Sequence, residues 1–411
     1  MSANPLMPVD EALARVLASV AAPTEREAVA LAETYGRTLA NDVVARRVQP
    51  PFASSAMDGY ALRAADAAGA PARLTVVGES AAGRPFGGRL GRGEAARIFT
   101  GASLPEGADA VAMQESVRRE GATVILDGPV AAGDHVRAPG GDFDAGETVL
   151  RAGRRLSARD VALAAAADHP TLVVRRRPSV AILASGDELV APGVRRGPAQ
   201  IVSSNTFAVA GIVVAAGGAP IDLGIAADEP RALAESLAQA VARRADVLVT
   251  VGGASVGDHD LMRQALADAG MELDFWRVGI RPGKPMIHGR LGAMIVLGLP
   301  GNPTSSTLCA LLFLRPLVRA LLGDPEAGAD PSEPARLALA LPANGPRRDY
   351  MRATLARDAS GLELATPIAS QDSSLVKAFA RADALLVRAP NAAAAAAGEM
   401  CRIIRLAPLG A

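Results

Sequence analysis

The chain is poor in the residues that would indicate a secreted, zinc-binding or nucleic-acid-binding protein. It has two cysteines and four histidines among 411 residues, too few and too widely spaced for a disulfide framework or a His/Cys zinc site. Aromatic residues make up 3% of the chain, which disfavours base-stacking platforms for single strands. Basic and acidic residues number 43 each, so the chain lacks the positive excess that attracts nucleic acid.

Long apolar runs are also missing. The most apolar run, Leu308 to Leu314, is followed by Arg315 and Pro316, whereas a membrane span needs about 20 apolar residues. The N-terminal residues show no basic segment leading into an apolar one, so we expect no signal peptide. With the low cysteine content, these features predict a cytoplasmic protein without membrane or nucleic-acid partners.

Half of the residues are hydrophobic, and the length suggests about two to four domains. Apolar spacing predicts a helix over residues 9–21. Short β-type segments separated by Gly, Pro and Asp predict a small antiparallel β domain from about 74 to 149. Ser157 and Asp160 have the spacing of a capping box, which predicts a helix running to about Asp168.

From residue 179 to 322, strand-like segments alternate with helical ones, which predicts a parallel α/β sheet. Three of these strands run into polar loops, SGDEL (185–189), GGASVGDHD (252–260) and GLPGNPTSS (298–306). The tail from about residue 324 returns to β-type segments and predicts a small barrel or sandwich. Its alanine tract is predicted to be a loop.

The three loops carry the residues from which a ligand site can be built, because ligands of open α/β sheets bind beyond the carboxyl ends of the strands. Gly252 and Gly253 can turn successive backbone N–H groups toward an oxyanion. Ser305 lies at a helix start, where free N–H groups favour anions. Arg281 and Lys284, in the stiff sequence RPGKP, add positive charge.

Carboxylates accompany this anion site. Asp258 and Asp260 lie in the second loop with the hydroxyl of Ser255, and Mg²⁺ prefers one or two carboxylates together with water and phosphate oxygens. The alternative is that both aspartates cap a helix and that the glycines serve turn geometry alone. Three such loops at three strand ends favour a site for a phosphorylated ligand with Mg²⁺.

Six stretches of the chain resemble the molybdopterin molybdenumtransferases, a family that includes the E domain of gephyrin. They are PPFASSAMDGYAL, RIFTGASLPEGADAVAMQE, ASGDEL, GGASVGDHD, RPGKP and GLPGNPTSS. They follow the family's order over roughly residues 50–310, and the flanking regions fit the family's layout. The resemblance therefore covers essentially the whole chain.

The resemblance implies a multidomain fold of α/β and β parts. The expected domains are an N-terminal linker domain (1–48 and 140–176), an inserted β domain (49–139), an α/β molybdopterin-binding domain (177–325) and a C-terminal β barrel (326–411). It also implies a cytoplasmic homodimer of elongated subunits, whose site is completed by the partner subunit.

The implied activity is the insertion of molybdate into adenylylated molybdopterin, with Mg²⁺-dependent release of AMP, to form the molybdenum cofactor. Molybdopterin adenylyltransferase and apo-molybdoenzymes are the implied protein partners. From the resemblance and the loops together, the expected catalytic residues are Asp58, Thr100, Glu188, Asp260 and Lys284. The expected metal ligands are Asp228, Asp258 and Asp260. The residues expected to bind the pterin substrate are Gly186, Asp187, Gly252, Gly253, Ser255, Arg281, Pro300, Gly301, Asn302, Pro303 and Ser305.

Two other functions stay open at this point. One is a molybdopterin adenylyltransferase or a nucleotide pyrophosphatase built on the same α/β module. Such proteins can consist of that domain alone, whereas SAMDGY and FTGA lie outside it. The other is a scaffold without catalysis, which would tend to have long disordered linkers that this sequence lacks. Molybdate and tungstate have nearly the same size and charge, so the choice between them stays open as well.

Overall fold

The computed structural model describes residues 6–69, 71–253, 261–358 and 361–409. The chain forms two compact units. One, here called the cleft unit, comprises Met1–Glu27, Gly36–Ala40 and Val174–Ala411; the other, the β unit, comprises Ala28–Tyr35 and Asn41–Val173. The finer boundaries of four domains remain a prediction.

The β unit is built on one six-stranded sheet. Its strands are β1 Gly59–Leu62, β2 Ala72–Ser80, β3 Glu94–Ile98, β4 Ala110–Met113, β5 Val117–Glu120 and β6 Thr123–Leu126. Their spatial order is β4-β1-β3-β2-β6-β5. The antiparallel prediction is wrong for one pair, because β2 and β3 run parallel. The segment 81–93 between them is long enough for the crossover that a parallel pair needs.

Strand β1, an interior strand of this sheet, was not expected from the sequence. The segment Gly59–Leu62 is buried at all four positions, although its Pro- and Gly-bearing surroundings favour a loop. A Cβ at Gly59 would collide with the carbonyl oxygen of Ala112 on the neighbouring strand. Glycine therefore permits the close strand approach here.

The remaining regular elements of the β unit are short. Strand pairs join Val43–Val44 to Thr148–Leu150 and Ser54–Ser55 to Val136–Arg137. The predicted capping box is confirmed, since Ser157 and Asp160 exchange hydrogen bonds at the start of helix α2, Ala158–Ala166. Two further strands, Arg26–Ala30 and Thr171–Arg175, lie where the chain passes between the units.

The cleft unit contains the predicted α/β sheet. Its strands are β7 Ser179–Ser185, β8 Ala219–Ala226, β9 Val247–Val251, β10 Glu272–Arg277, β11 Pro285–Leu291 and β12 Met294–Leu299, in the order β8-β7-β9-β12-β11-β10. Its helices are α1 Val9–Ala18, α3 Asn205–Ala216, α4 Pro230–Ala242, α5 Leu261–Asp268, α6 Pro303–Cys309 and α7 Arg315–Leu321. Leu189–Val190 and Ile201–Val202 form a separate pair.

This sheet is mixed, which corrects the fully parallel prediction. Strands β8, β7, β9 and β12 are parallel, whereas β11 is antiparallel to both β12 and β10. The short turn Gly292–Ala293 joins β11 to β12, and a connection of that length can only form a hairpin. Sequence analysis did not predict β10 and β11, which lie on either side of the RPGKP turn.

Both faces of the parallel strands are buried. Along β7, Val180 and Ile182 face a core that includes α3 and the α6–α7 segment, while Ala181 and Leu183 face a second core with α4 and α5. This is the alternation expected of a strand covered by helices on two sides. The predicted helix over 9–21 is confirmed as α1, which packs against the first core.

The segment Pro303–Leu321 is one long helical stretch. It has the length and composition of a membrane span, but 72% of an apolar 18-residue segment within it is buried inside the fold, as in a core helix. The apolar run ends at Arg315 and Pro316, but the helix continues through them, as the alternation of strands and helices up to residue 322 predicts. One π-helical turn, Ala310–Leu314, precedes Pro316. This wider turn lets the helix continue although proline has no backbone N–H to donate.

The C-terminal strands close into a five-stranded barrel, which settles the choice between barrel and sandwich. They are β13 Glu333–Leu337, β14 Arg348–Arg357, β15 Glu363–Pro367, β16 Ala384–Arg388 and β17 Met400–Arg405. Strand β14 pairs with both β15 and β16, which closes the ring. The alanine tract 392–397 is a loop, as predicted, and the short helix α8, Val376–Ala380, precedes β16.

Candidate functional site

A cleft of about 1340 Å³ opens at the carboxyl ends of the parallel strands of the cleft unit. The order of the strands reverses between β7 and β9, and a crevice at such a reversal is where open α/β sheets bind ligands. Its lining residues include Ser185, Gly186, Glu188, Ser203, Asn205, Asp228, Gly252, Gly253, Arg281, Lys284, Pro300, Gly301, Asn302, Pro303, Ser305, Arg347, Gln371, Asp372, Ser373 and Ser374. The described parts of the three predicted loops therefore meet at one place.

Glycine lets the loop after β9 approach the end of β7 closely, and the loop after β12 lies in contact with it. Gly252 has φ +96°, and a Cβ there would lie 2.7 Å from the carbonyl oxygen of Ser185. A Cβ on Gly301 would lie 3.7 Å from the Cα of Gly252. Asn205, at the start of α3, donates a hydrogen bond of 2.7 Å to the Gly301 carbonyl. The floor of the cleft is thus backbone from three loops, held by one side-chain amide.

One buried hydroxyl at the cleft has no hydrogen-bond partner among the described residues. It is the Oγ of Ser185, which ends β7 and lines the cleft. The hydroxyls of Thr304 and Ser306 in the first turn of α6 are also buried and unpartnered there, but they are not part of the lining. Buried polar groups are rarely left unsatisfied in a folded protein. The Ser185 hydroxyl therefore fits a cleft whose ligand brings hydrogen-bonding groups.

A loop of the barrel covers the start of α6. Asn302 donates a hydrogen bond of 2.8 Å to the Ser373 hydroxyl, and the Thr304 N–H donates one of 3.0 Å to the Ser373 carbonyl. Behind this loop lies the buried guanidinium of Arg352, which donates to the carbonyls of Ser370 and Asp372. The barrel thereby supplies one wall of the cleft.

Three basic side chains line the cleft. Arg281 lies 3.6 Å from the carboxylate of Asp349; burial raises the pKa of Asp349, and the charge of Arg281 opposes that rise. Arg347 donates to the Ile280 carbonyl at 3.4 Å. Among the described residues, the Lys284 ammonium has no ion-pair or hydrogen-bond partner. Lys284 is therefore the cation most available to an anionic ligand.

The acidic groups of the cleft lie after β7 and β8. Burial raises the pKa of Asp228, and the nearby charges of Asp187 and Glu188 raise it further. The Asp187 carboxylate accepts a hydrogen bond of 3.0 Å from the Asp228 N–H. Gly186 has φ +146°, and a Cβ there would contact the Glu188 carboxylate at 2.5 Å. The turn thus folds Glu188 back toward the end of β7.

Most of the residues expected from the sequence share this cleft. Of those described, Gly186, Glu188, Asp228, Gly252, Gly253, Arg281, Lys284, Pro300, Gly301, Asn302, Pro303 and Ser305 line it. Asp187 is not part of the lining and is held by the Asp228 backbone. Ser255, Asp258 and Asp260 lie outside the described residues. Within the ranges that the structure covers, no three His, Cys, Asp or Glu side chains form a metal-binding group.

The other two expected residues, Asp58 and Thr100, form a pair in the β unit. The N–H and the hydroxyl of Thr100 both donate to Oδ1 of Asp58, each at 2.8 Å. These two hydrogen bonds, together with the charge of Arg97, lower the pKa of Asp58. The two residues lie 42 positions apart in the sequence, and the fold brings them into direct contact.

Sequence analysis missed part of the lining. Arg347 was assigned only to a β-type segment, and the Gln371–Ser374 loop was not singled out. The one sequence feature that indicates this loop is the polar run SQDSS between two strands, which is typical of a loop that can carry function. No pattern in the chain indicates that a barrel loop would reach α6.

Comparison with known proteins matches three family models to this chain. The MoeA N-terminal region (domain I and II) matches residues 7–167, the probable molybdopterin binding domain matches residues 181–320, and the MoeA C-terminal region (domain IV) matches residues 334–406. The molybdopterin molybdenumtransferase of Nostoc sp. is 41% identical over 306 residues, which are 73% of this chain and 70% of the relative. That of Haemophilus influenzae is 32% identical over 97% of this chain and 98% of the relative.

A solved structure has a similar fold. The crystal structure of the molybdopterin biosynthesis moeA protein from Pyrococcus horikoshii OT3 matches with a TM-score of 0.84 and 28% identity, covering 98% of this chain and 100% of that one. These comparisons confirm the resemblance seen in the six sequence stretches.

Proposed function

Since the chain belongs to the molybdopterin molybdenumtransferase family, a family of transferases in molybdenum cofactor biosynthesis, we propose that it inserts molybdate into adenylylated molybdopterin with release of AMP. The observation that carries this proposal is the composition of the cleft. It combines the Lys284 ammonium, which has no partner among the described residues, with a glycine-lined floor and carboxylates in one space, and each of these has a task in the reaction.

The basic groups suit the anions of the reaction. Molybdate and the phosphates of the substrate carry negative charge, which Lys284 and Arg347 can neutralise at the wall of the cleft. The Ser185 hydroxyl beside Gly252 is a hydrogen-bond donor without a partner. We propose that these groups hold the oxyanion and the pterin phosphate, while the backbone around Gly252 and Gly301 shapes the floor beneath them.

The carboxylates suit the proton transfers. An oxo ligand of molybdate that is replaced by a dithiolene sulfur leaves as water and takes up two protons in doing so. A carboxyl group within the cleft can deliver such protons. Glu188, which lines the cleft, is the described candidate.

The donor set also fits Mg²⁺. Burial raises the pKa of Asp228, and the nearby charges of Asp187 and Glu188 add to the rise; a hard divalent cation bound by one or two carboxylates would relieve the repulsion among these charges. Asp228 would hold the ion, with Asp258 and Asp260 as further expected ligands. When bound, Mg²⁺ would neutralise charge on the phosphates as AMP departs.

We further propose that the protein acts as a homodimer, with the Asp58–Thr100 pair of one subunit completing the cleft of the other. The pair is preorganised, since both hydrogen bonds fall on Oδ1 of Asp58. We also expect the enzyme to work in the cytoplasm, where it would exchange pterin with an adenylyltransferase and with apo-molybdoenzymes.

The test is AMP release from adenylylated molybdopterin by the purified protein with Mg²⁺, measured by chromatography with and without molybdate. Molybdate-dependent AMP release is expected. Consumption of ATP in place of AMP release would identify an adenylyltransferase, and tight pterin binding without turnover would identify a scaffold. Replacing molybdate by tungstate in the same assay measures the choice of metal.

A further inference from the structure

Arg97 of the β unit occupies a position to which neither the sequence motifs nor the proposed function assigns a role. It lies on strand β3, where its Cα pairs with that of Tyr60 on β1. Its NH1 donates to the carbonyl of Gly59 at 3.1 Å, and its NH2 donates to the side-chain oxygen of Gln114 at 2.6 Å. One guanidinium thus joins β1 to the segment that follows β4.

The same guanidinium lies over two aromatic rings. Its central carbon is 5.2 Å from the ring centre of Tyr60 and 4.9 Å from that of Phe99, within the range of cation–π attraction. Aromatic residues are only 3% of the chain, so two of them on one arginine is a notable concentration. A stacked, doubly hydrogen-bonded arginine has little freedom, and lysine cannot reproduce this geometry.

The contacts of Arg97 fall on the residues next to Asp58 and Thr100. Gly59 follows Asp58, and Phe99 precedes Thr100. The backbone of Asp58 is held from the same side, because its carbonyl accepts the Gln114 N–H at 3.0 Å. Arg97 therefore links the chain segments that carry the two members of the pair.

The pair itself is arranged to present one oxygen. Both hydrogen bonds from Thr100 fall on Oδ1 of Asp58, and Oδ2 has no partner among the described residues. The direction of Oδ2 thus depends on the relative placement of residues 58 and 100. A group that holds both segments controls that direction.

We infer that Arg97 is a positioning residue, which orients the Asp58 carboxylate by clamping the backbone beside Asp58 and the ring beside Thr100. Its relevance to catalysis rests on the proposed function, but the orientation of the pair can be measured without it. Arg97 makes its contacts through protein groups and acts on the reaction through Asp58.

The first experiment measures amide hydrogen exchange at Thr100, whose N–H is donated to Asp58, in Arg97→Gln and Arg97→Lys. Faster exchange is expected in both, by roughly tenfold in Arg97→Gln and less in Arg97→Lys. The matched control is Arg118→Gln, which removes an exposed arginine paired with Asp127 on the same sheet. Unchanged exchange at Thr100 in Arg97→Gln would overturn the inference, whether or not the enzyme releases AMP.

The second experiment is a double-mutant cycle on kcat for AMP release, with Asp58→Asn, Arg97→Gln and the combination. Arg97→Gln should lower kcat by roughly 10- to 100-fold, as supporting residues of a reactive group commonly do, with little change in KM. In the Asp58→Asn background the same substitution should have almost no further effect. Losses that multiply would show that Arg97 acts independently of Asp58, which contradicts the inference. A wild-type protein without AMP release would refute the proposed function alone.

Discussion

At the scale of single residues, Glu188 is the acidic side chain of the cleft that bends back over a glycine with positive φ. Glu188→Gln keeps the shape and removes the proton-transfer group. We expect kcat for AMP release to fall by roughly 100-fold or more, while pterin binding measured by fluorescence quenching is retained. Glu235→Gln, on the exposed face of α4, is the control. Wild-type turnover in Glu188→Gln would remove Glu188 from the mechanism.

The two cysteines differ in their surroundings, and this is testable on the intact protein. Cys309 is fully buried, and burial raises its pKa to about 12, so its thiolate is not formed near neutral pH. Cys401 is partly exposed. Titration with a thiol reagent should count at most one reactive thiol in the native protein and two after denaturation. Rapid reaction of Cys309 in the native state would show that α6 opens readily.

At the scale of elements, the capping box of α2 supports a short helix. Ser157→Ala removes the hydroxyl that accepts from the Asp160 N–H and donates to its carboxylate, and should destabilise the helix by about 1 kcal/mol. Amide exchange over residues 158–166 should accelerate accordingly. Arg159→Ala, on the exposed side of the same helix, should leave the exchange nearly unchanged.

The capping box of α2 also predicts that its contribution to stability depends on pH. Burial raises the pKa of Asp160, but hydrogen bonds from Ser157 and the charge of Arg154 outweigh it, so the pKa is lowered overall. A lowered pKa in the folded state contributes stability above the unfolded value, and this contribution is lost as the pH falls. The effect of Ser157→Ala should therefore shrink in acid, and an effect that grew in acid would contradict this assignment.

At the scale of the whole molecule, the shared site predicts complementation between subunits. Asp58→Asn and Glu188→Gln each disable one contribution to the site. If Asp58 serves the cleft of the partner, mixed dimers place both substitutions at one site and leave the other intact. Random reassortment of the two variants should then restore about a quarter of the wild-type activity.

The control for complementation is each variant unfolded and refolded alone, which should stay inactive. Activity that does not return on mixing, in a preparation shown to exchange subunits, would place Asp58 and Glu188 in the same subunit's site. A monomer on gel filtration would contradict the dimer directly.

The sequence by itself determined the parts of this protein whose signals are local. Alternating strands and helices predicted the α/β sheet, and glycines after the strands predicted where the loops turn. The spacing of Ser157 and Asp160 predicted the start of α2. These inferences succeeded because periodicity, capping and turn chemistry are properties of neighbouring residues. Three of the family motifs, ASGDEL, RPGKP and GLPGNPTSS, likewise supply residues that line the cleft.

Only the tertiary structure decided what depends on residues distant along the chain. The reversed strand β11, the parallel pair β2–β3 and the interior strand at Gly59 follow from which strands pair, not from local preference. The barrel loop at Ser373 reaches α6 through contacts some seventy residues apart, and Arg97 gains its place by contacting Gly59, the neighbour of Asp58, across a sheet. Such contacts are selected by burial and hydrogen bonding in the folded state, where loops with no distinctive sequence can complete a site.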